Sequence, residues 1–433
     1  MSVPRFVLWA VGNGFFIPRP GARMGWELMG IGGGSEVDRL ERRLLHLSML
    51  ADPLSPFSGG TVGGRQVMVR ETVRAVQDEG YGIDVMTAGG DGSVERSALG
   101  HLARVVRLAS AAADTPLGDR APAWGREALE WIRSQGRHYQ LMHSHHWMSG
   151  AVAQELRSAL GVPWVHSPWA MPDMVQEEPA VAEAMESQLR EADWVVVPYP
   201  SFADRVLEIA PEARVRVISP GVDVSTFFQR EAGPVLKALG QKQRGLLTVV
   251  GQADDGVRAL LRDWTDRRRA GVLPADVVLL VAGMDPPDGD AQAWQQLGVR
   301  FLGTLTHRNL ARYYAAAAVT ILPARHASLG MAALESMASG TPVVATAVAG
   351  QASVVVPGET GWLGPAEDTP ALLDAALTLR QDVAAARALG AAGIAHVAQH
   401  YTRTGMARAL ADLYEEIAAV PRTAPSVASA VRP

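Results

Sequence analysis

One segment of the chain, 322–346, gathers residue types that could hold a phosphate or a sugar. An apolar run ends at Leu322-Pro323. A loop follows through Arg325 and Ala327, and a helix opens near Leu329-Gly330 and runs toward Gly340. A helix start leaves backbone N–H groups unpaired and carries the positive end of the helix dipole. The N–H groups of Ser328, Leu329 and Gly330 are therefore expected to face a diphosphate or a sugar hydroxyl. Glu335 lies on the same helix, where a carboxylate can accept both hydroxyls of a ribose; a glutamate held there only by the dipole is the competing account. His143 and His145 share one face of a short strand, as metal ligands would, but no third ligand is evident in the sequence, so no metal is expected. Trp147, Trp164 and Trp169 follow nearby and suit either stacking on a sugar ring or core packing. Arg267-Arg268-Arg269 reads as a solvated helix end rather than an anion grip.

These residues need a scaffold, and the pattern around them supplies one. Leu44–Leu50 is a buried-strand run, Ser58–Gly64 a glycine-rich loop, Arg65–Glu79 a helix and Ile83–Thr87 the next strand. The alternation continues through strands at 140–143, 162–166, 194–197 and 215–218, breaks at Pro220-Gly221-Val222-Asp223, and resumes with strands at 246–250, 277–282, 299–302, 319–322 and 342–346. The expected fold is α/β, with two doubly wound Rossmann-like domains facing a cleft at the C-terminal ends of their strands. The divisions expected are a non-core extension at 1–43, an N-terminal domain at 44–228, a C-terminal domain at 229–400, a closing helix at 401–420 and a frayed tail at 421–433. Hydrophobic residues make up 48% and charged residues 20% of the 433, and net charge is −5, so the chain reads as globular with no basic field for nucleic acid. With no cysteine, thiolate metal sites and cysteine nucleophiles are excluded. No run reaches the roughly 20 apolar residues that span a bilayer, and Phe6–Ile17 is a poor signal peptide because it carries Gly12 and Gly14 and lacks a cleavage site. A cytoplasmic protein is expected. Gly30-Ile31-Gly32-Gly33-Gly34 is a near miss to a dinucleotide fingerprint that no strand precedes, so a dehydrogenase is not supported.

The motifs together resemble the retaining glycosyltransferases of GT-B architecture, in the large family that includes sucrose-phosphate synthases and the mycothiol glycosyltransferase. Glu335 and Gly340-Thr341-Pro342-Val343-Val344-Ala345 match the family signature. Gly63-Gly64-Arg65, His143-Ser144-His145-His146-Trp147 and Ser219-Pro220-Gly221-Val222-Asp223 match its glycine loop, its fourth-strand segment and its interdomain linker. The resemblance spans about 44–419. It implies transfer of a hexose from a nucleotide diphosphate sugar to an acceptor hydroxyl with retention, by a hexosyltransferase with no cofactor and no essential metal. It further implies that Glu335 holds the donor ribose, that Gly63 and Gly64 let backbone approach the phosphates, and that His143, His145, His166 and Trp169 line the cleft.

Three departures bear on activity. Ala327 stands where the family has its first signature glutamate. Gln252 replaces the arginine that neutralises the leaving diphosphate, and the companion lysine is absent. Trp169 stands where the family has a histidine. Losing charge stabilisation where charge develops costs several kcal/mol of barrier. An active enzyme would recruit Arg258, Arg262 or Arg325 to the diphosphate or would use an altered donor; the alternative is an impaired pseudo-glycosyltransferase that binds a ligand or a protein partner. Otherwise the partners expected are a nucleotide-sugar donor and an unknown hydroxyl acceptor, with no nucleic acid and with peripheral membrane contact left open.

Overall fold

The structure, a computed structural model, describes residues 42–54, 63–90, 94–109, 117–171, 179–249, 255–287, 289–325 and 329–420. The first sheet contains β1 (Arg43–Leu47), β2 (Gly82–Gly90), β3 (Glu95–Ala98), β4 (Ala103–Ala109), β5 (Leu141–His145), β6 (Trp164–Ser167), β7 (Trp194–Val197) and β8 (Val215–Val217). Their order is β3-β4-β2-β1-β5-β6-β7-β8, and every pairing is parallel except β3 on β4. The second sheet contains β9 (Leu246–Val249), β10 (Leu279–Ala282), β11 (Val299–Phe301), β12 (Val319–Leu322), β13 (Val343–Thr346) and β14 (Gly361–Gly364), all parallel in the order β11-β10-β9-β12-β13-β14. This is the doubly wound arrangement expected from the sequence. Strands such as Leu279-Leu280-Val281-Ala282 are buried at every residue because helices cover both faces of a parallel sheet.

The last described helix, Arg403–Ala418, returns to the first sheet. Met406, Leu410, Leu413 and Tyr414 pack with Leu44, Val69, Val73, Ile83 and Leu141 in one buried cluster. The chain thus passes between the two sheets twice, and the two passages lie side by side. Val222 N–H donates to Tyr401 O at 2.8 Å, and Arg403 N–H donates to Val222 O at 2.9 Å. A Cβ on Gly221 would sit 2.6 Å from the backbone of Thr402 and Arg403. Gly221→Ala is therefore expected to push the two passages apart at a cost of about 2 kcal/mol, as overpacking against backbone does. Chemical denaturation of the variant checks this, and an unchanged midpoint would show that the crossing is compliant.

At the opposite end of the first sheet, Asp84 on β2 is fully buried. It accepts hydrogen bonds from Arg104 Nε at 2.7 Å, Arg137 Nη1 at 3.1 Å, Arg43 Nη1 at 3.3 Å and the Tyr139 hydroxyl at 2.7 Å. Arg43 thus belongs to the sheet and not to an extension ending at residue 43. The run Arg267–Arg269 is also not simply solvated. Arg267 pairs with Asp263 and Asp374, and Arg268 donates to the carbonyls of Leu297, Pro274 and Val277.

Candidate active site

Strand order reverses between β1 and β5 in the first sheet and between β9 and β12 in the second. Ligands of such sheets bind at these reversals, outside the C-terminal strand ends. In the first sheet the reversal holds a stack of three histidines. Parallel register sets His46 beside His143, and His145 follows on the same face two residues on. His46 Nδ1 and His145 Nε2 share a hydrogen bond of 3.0 Å. His143 Nδ1 meets the Tyr414 hydroxyl at 2.7 Å, and its Nε2 meets Ser167 Oγ at 2.8 Å. His46 Nε2 and His145 Nδ1 have no partner. Burial lowers His46 to about 3, and burial followed by the neighbouring imidazoles holds His143 and His145 well below the ordinary imidazole value. The stack is therefore neutral at pH 7. His46 is the third nitrogen donor that sequence spacing did not reveal, because it comes from a strand 97 positions before His143 and meets it only through β1–β5 pairing. The three rings could offer one nitrogen each to a metal ion, though both His143 nitrogens already have partners.

His143 and His145 line a cleft together with Met68, Thr72, Trp169 and Leu410, and Leu329 reaches it from the second sheet's side. His166 does not share this cleft. Strand alternation puts Val165 and Ser167 on the cleft face of β6 and turns His166 to the other, where its Nδ1 meets Ser144 Oγ at 2.8 Å. Trp147 and Trp164 are core residues, and Trp164 Nε1 donates to Ser144 Oγ. Only Trp169 of the three lines the cleft, with its ring 5.1 Å from that of His145. Two residues here have left-handed φ despite side chains: His146 at 71° and Trp169 at 56°. Such conformations cost about 1–3 kcal/mol each and cluster at functional sites. His146 is lowered to about 3 by burial and then by Arg65, which puts a cation near the end of β5.

On the second sheet, the helix Met331–Ala338 opens past β12 with Gly330 as its cap at φ 72°. A Cβ there would lie 2.7 Å from Gly350 O, so only glycine fits. Glu335 falls in the second turn, is 5% exposed and accepts a hydrogen bond from the Tyr314 hydroxyl at 3.1 Å. The dipole's pull on a carboxylate falls off within the first turn, and Glu335 lies one turn further in. Burial pushes the Glu335 carboxyl up to about 8; Tyr314 lowers it and Glu71, from the first domain's helix, raises it. Gly63 and Gly64 form the first turn of the helix Gly63–Asp78 rather than a loop before it. Arg258 is exposed in the first turns of the helix Asp255–Arg269, as is Arg262 further along, and Arg325 is partly buried just past β12. Ser328, Ala327 and Gln252 lie outside the described residues.

Comparison with known proteins agrees with this architecture. The family profile described as Glycosyltransferase Family 4 matches residues 62–226, and that described as Glycosyl transferases group 1 matches 244–382. A D-inositol 3-phosphate glycosyltransferase from Kribbella flavida is 30% identical over 396 residues, covering 83% of this chain and 92% of the relative. One from Corynebacterium urealyticum is 28% identical, covering 89% and 98%. The solved sucrose-phosphate synthase from Thermosynechococcus elongatus superposes with a TM-score of 0.75 at 25% identity over 87% of this chain and 99% of that one. Anabaena HepE, solved with UDP and glucose, shares the fold with a TM-score of 0.67 at 15% identity, over 87% and 100%. Two facing doubly wound sheets with this cleft define a GT-B glycosyltransferase. The chain belongs to glycosyltransferase family 4 and is an enzyme of that class. Among the described residues, no helix is long and apolar enough to cross a membrane.

Proposed function

We propose that the protein transfers a hexose from a nucleotide diphosphate sugar to an acceptor hydroxyl with retention of anomeric configuration. The observation that carries this is Glu335, a buried carboxyl braced by Tyr314 on a helix that opens at the β9–β12 reversal. In that position it would accept the two ribose hydroxyls. The N–H groups at the Leu329-Gly330 helix start, the Gly63-Gly64 turn and the arginines at 65, 258 and 325 would face the diphosphate. The bond between the anomeric carbon and the diphosphate oxygen breaks, the leaving oxygen takes the electron pair, and the acceptor oxygen bonds to the anomeric carbon while passing its proton to the departing diphosphate. Catalysis on this reading is positioning plus leaving-group stabilisation, with no metal required. Calorimetric titration with UDP, GDP and their glucose and N-acetylglucosamine conjugates tests it. Micromolar binding that Glu335→Ala removes is the expected result, and an α-linked product from an α-linked donor reports retention. No nucleotide binding at millimolar concentration would overturn the reading.

A further inference from the structure

Charge is unevenly spread over the second domain. From 291 to 325 the chain carries Arg300, Arg308, Arg312 and Arg325 and no aspartate or glutamate. From 224 to 245 it carries Arg230, Lys237, Lys242 and Arg244 against Glu231 alone. The fold brings these two stretches together. The ring of Phe227 lies 5.6 Å from that of His307 and 6.0 Å from that of Tyr314, which seats the linker after β8 on the helix His307–Ala316. The short helix Gly233–Ala238 packs on the same helix. Arg300 Nη1 donates to Leu239 O at 2.6 Å, and Arg244 Nη1 donates to Ala317 O at 3.3 Å. Arg230, Lys237, Arg244, Arg300, Arg308 and Arg312 thus belong to one surface, on which Arg230 and Arg300 are half-buried and the other four exposed.

Among the described residues none of these six has an ion-pair partner. The buried carboxylate nearby is taken, Glu71 by Arg70, Arg74 and Arg403, and Arg403 holds Asp223 as well. Arg308 and Arg312 are four apart on one helix, where like charges oppose folding. Burial, and then Arg312 and Arg308, lower the pKa of Arg230. A face that only kept the chain in solution would mix the two signs, as the helix Asp255–Arg269 does with Asp255, Asp263 and Asp266 among its arginines. Apolar side chains stand in the same linker. Val224 and Phe228 are each 44% exposed, and the Arg230 guanidinium lies 3.7 Å over the Phe228 ring. Uncompensated cations around exposed apolar side chains suit a surface of anionic lipid headgroups: the cations gain from its negative potential, and the apolar groups enter the headgroup layer. A nucleic acid would attract the arginines equally but offers Val224 nothing to bury in.

We propose that the linker 224–232 and the helix His307–Ala316 form a docking face for an anionic phospholipid membrane, with Phe228 entering the headgroup layer. The test is co-sedimentation of the 433-residue chain with vesicles of phosphatidylcholine containing roughly one-third phosphatidylglycerol. Binding is expected to be at least about tenfold tighter than to pure phosphatidylcholine and to weaken as salt is raised. Arg308→Glu combined with Arg312→Glu should weaken it at least about tenfold. Arg126→Glu combined with Arg133→Glu, the same charge change at exposed positions of the helix Leu117–Ser134, should leave most of it. Phe228→Ala should weaken it about fivefold through lost apolar contact. Thermal unfolding verifies that the variants are folded. Equal binding to neutral vesicles, or no binding to anionic ones at low salt, overturns the proposal. Full binding by the folded Arg308/Arg312 variant also overturns it, because the contact would then lie elsewhere in the chain. Equal loss in the Arg126/Arg133 variant does so by reducing the effect to net charge, and an unchanged affinity in Phe228→Ala does so by removing the apolar contact. Retention on duplex DNA without vesicle binding would assign the face to nucleic acid instead.

Discussion

Glu335→Gln is expected to weaken UDP binding by about a hundredfold or more, because the two hydrogen bonds proposed from the ribose to a charged acceptor would be lost and each is worth about 1.5–3 kcal/mol. The same substitution should stabilise the unliganded protein in alkaline solution. Burial pushes the folded carboxyl up to about 8, above its ordinary value of 4.5. The native state therefore holds this proton more tightly than the unfolded chain does. The stabilising contribution is complete below about pH 4.5 and is lost as pH rises through about 8. Glutamine mimics the protonated carboxyl and still accepts from Tyr314, so its unfolding temperature should match the parent's near pH 5 and exceed it by about 2 °C or more at pH 9. Ligand binding has the opposite slope. Ribose hydroxyls need the ionised form as acceptor, so the parent's UDP affinity should rise between pH 6 and 8, at most about tenfold per pH unit, while that of the variant stays flat. Parallel pH profiles for the two proteins would show that Glu335 does not touch the nucleotide.

Asp84→Ala is expected to cost about 3–5 kcal/mol, the usual penalty for breaking a buried charge cluster and stranding its partners. Three guanidiniums and the Tyr139 hydroxyl converge on this one carboxylate. Arg137 already shows the strain of the site: burial lowers its pKa, with Arg104 and Arg43 adding to that and Asp84 opposing it. Asp84 lies near the start of β2, whereas the cleft lies past the strands' C-terminal ends. Urea denaturation should therefore register a large loss, while nucleotide affinity of the folded fraction stays unchanged. A loss under about 1 kcal/mol would mean that water solvates the arginines once the carboxylate is gone.

Most of the second sheet was legible because its strands are short and mostly apolar, as in Leu279-Leu280-Val281-Ala282, and helices alternate with them. β14, reading Gly361-Trp362-Leu363-Gly364, escaped because glycine and tryptophan do not make an apolar run; its edge place is set by pairing with β13. The region 88–139 also escaped. β3 reads Glu95-Arg96-Ser97-Ala98, a polar edge strand, and the helix Leu117–Ser134 carries Pro122 in its first turns. Of the candidate site, the Gly330 cap and Glu335 were visible because local sequence alone dictates a helix start. His46, Tyr314 and Arg65 were not visible as site residues, because each acquires its role from a neighbour that only tertiary pairing supplies. His166 was misassigned to the cleft for a related reason. Proximity in sequence to Trp169 does not fix which side of β6 a residue takes, and the register with β5 does.

The return of the helix Arg403–Ala418 to the first sheet has a consequence for how the protein is made. The last strand of that sheet ends at Val217, but the helix that seals one of its faces emerges about 200 residues later, roughly 10–40 s at ordinary rates of translation. Throughout that interval the nascent first half presents Val69, Val73, Leu141 and the ring of Tyr81 without Leu410, Leu413 and Tyr414 to cover them. Chains terminated before residue 403 carry a first sheet whose face is left uncovered, which is prone to self-association and is a natural client for chaperones. Quality control of this enzyme is thereby tied to a sixteen-residue helix: the first sheet is covered only after the second sheet has been made.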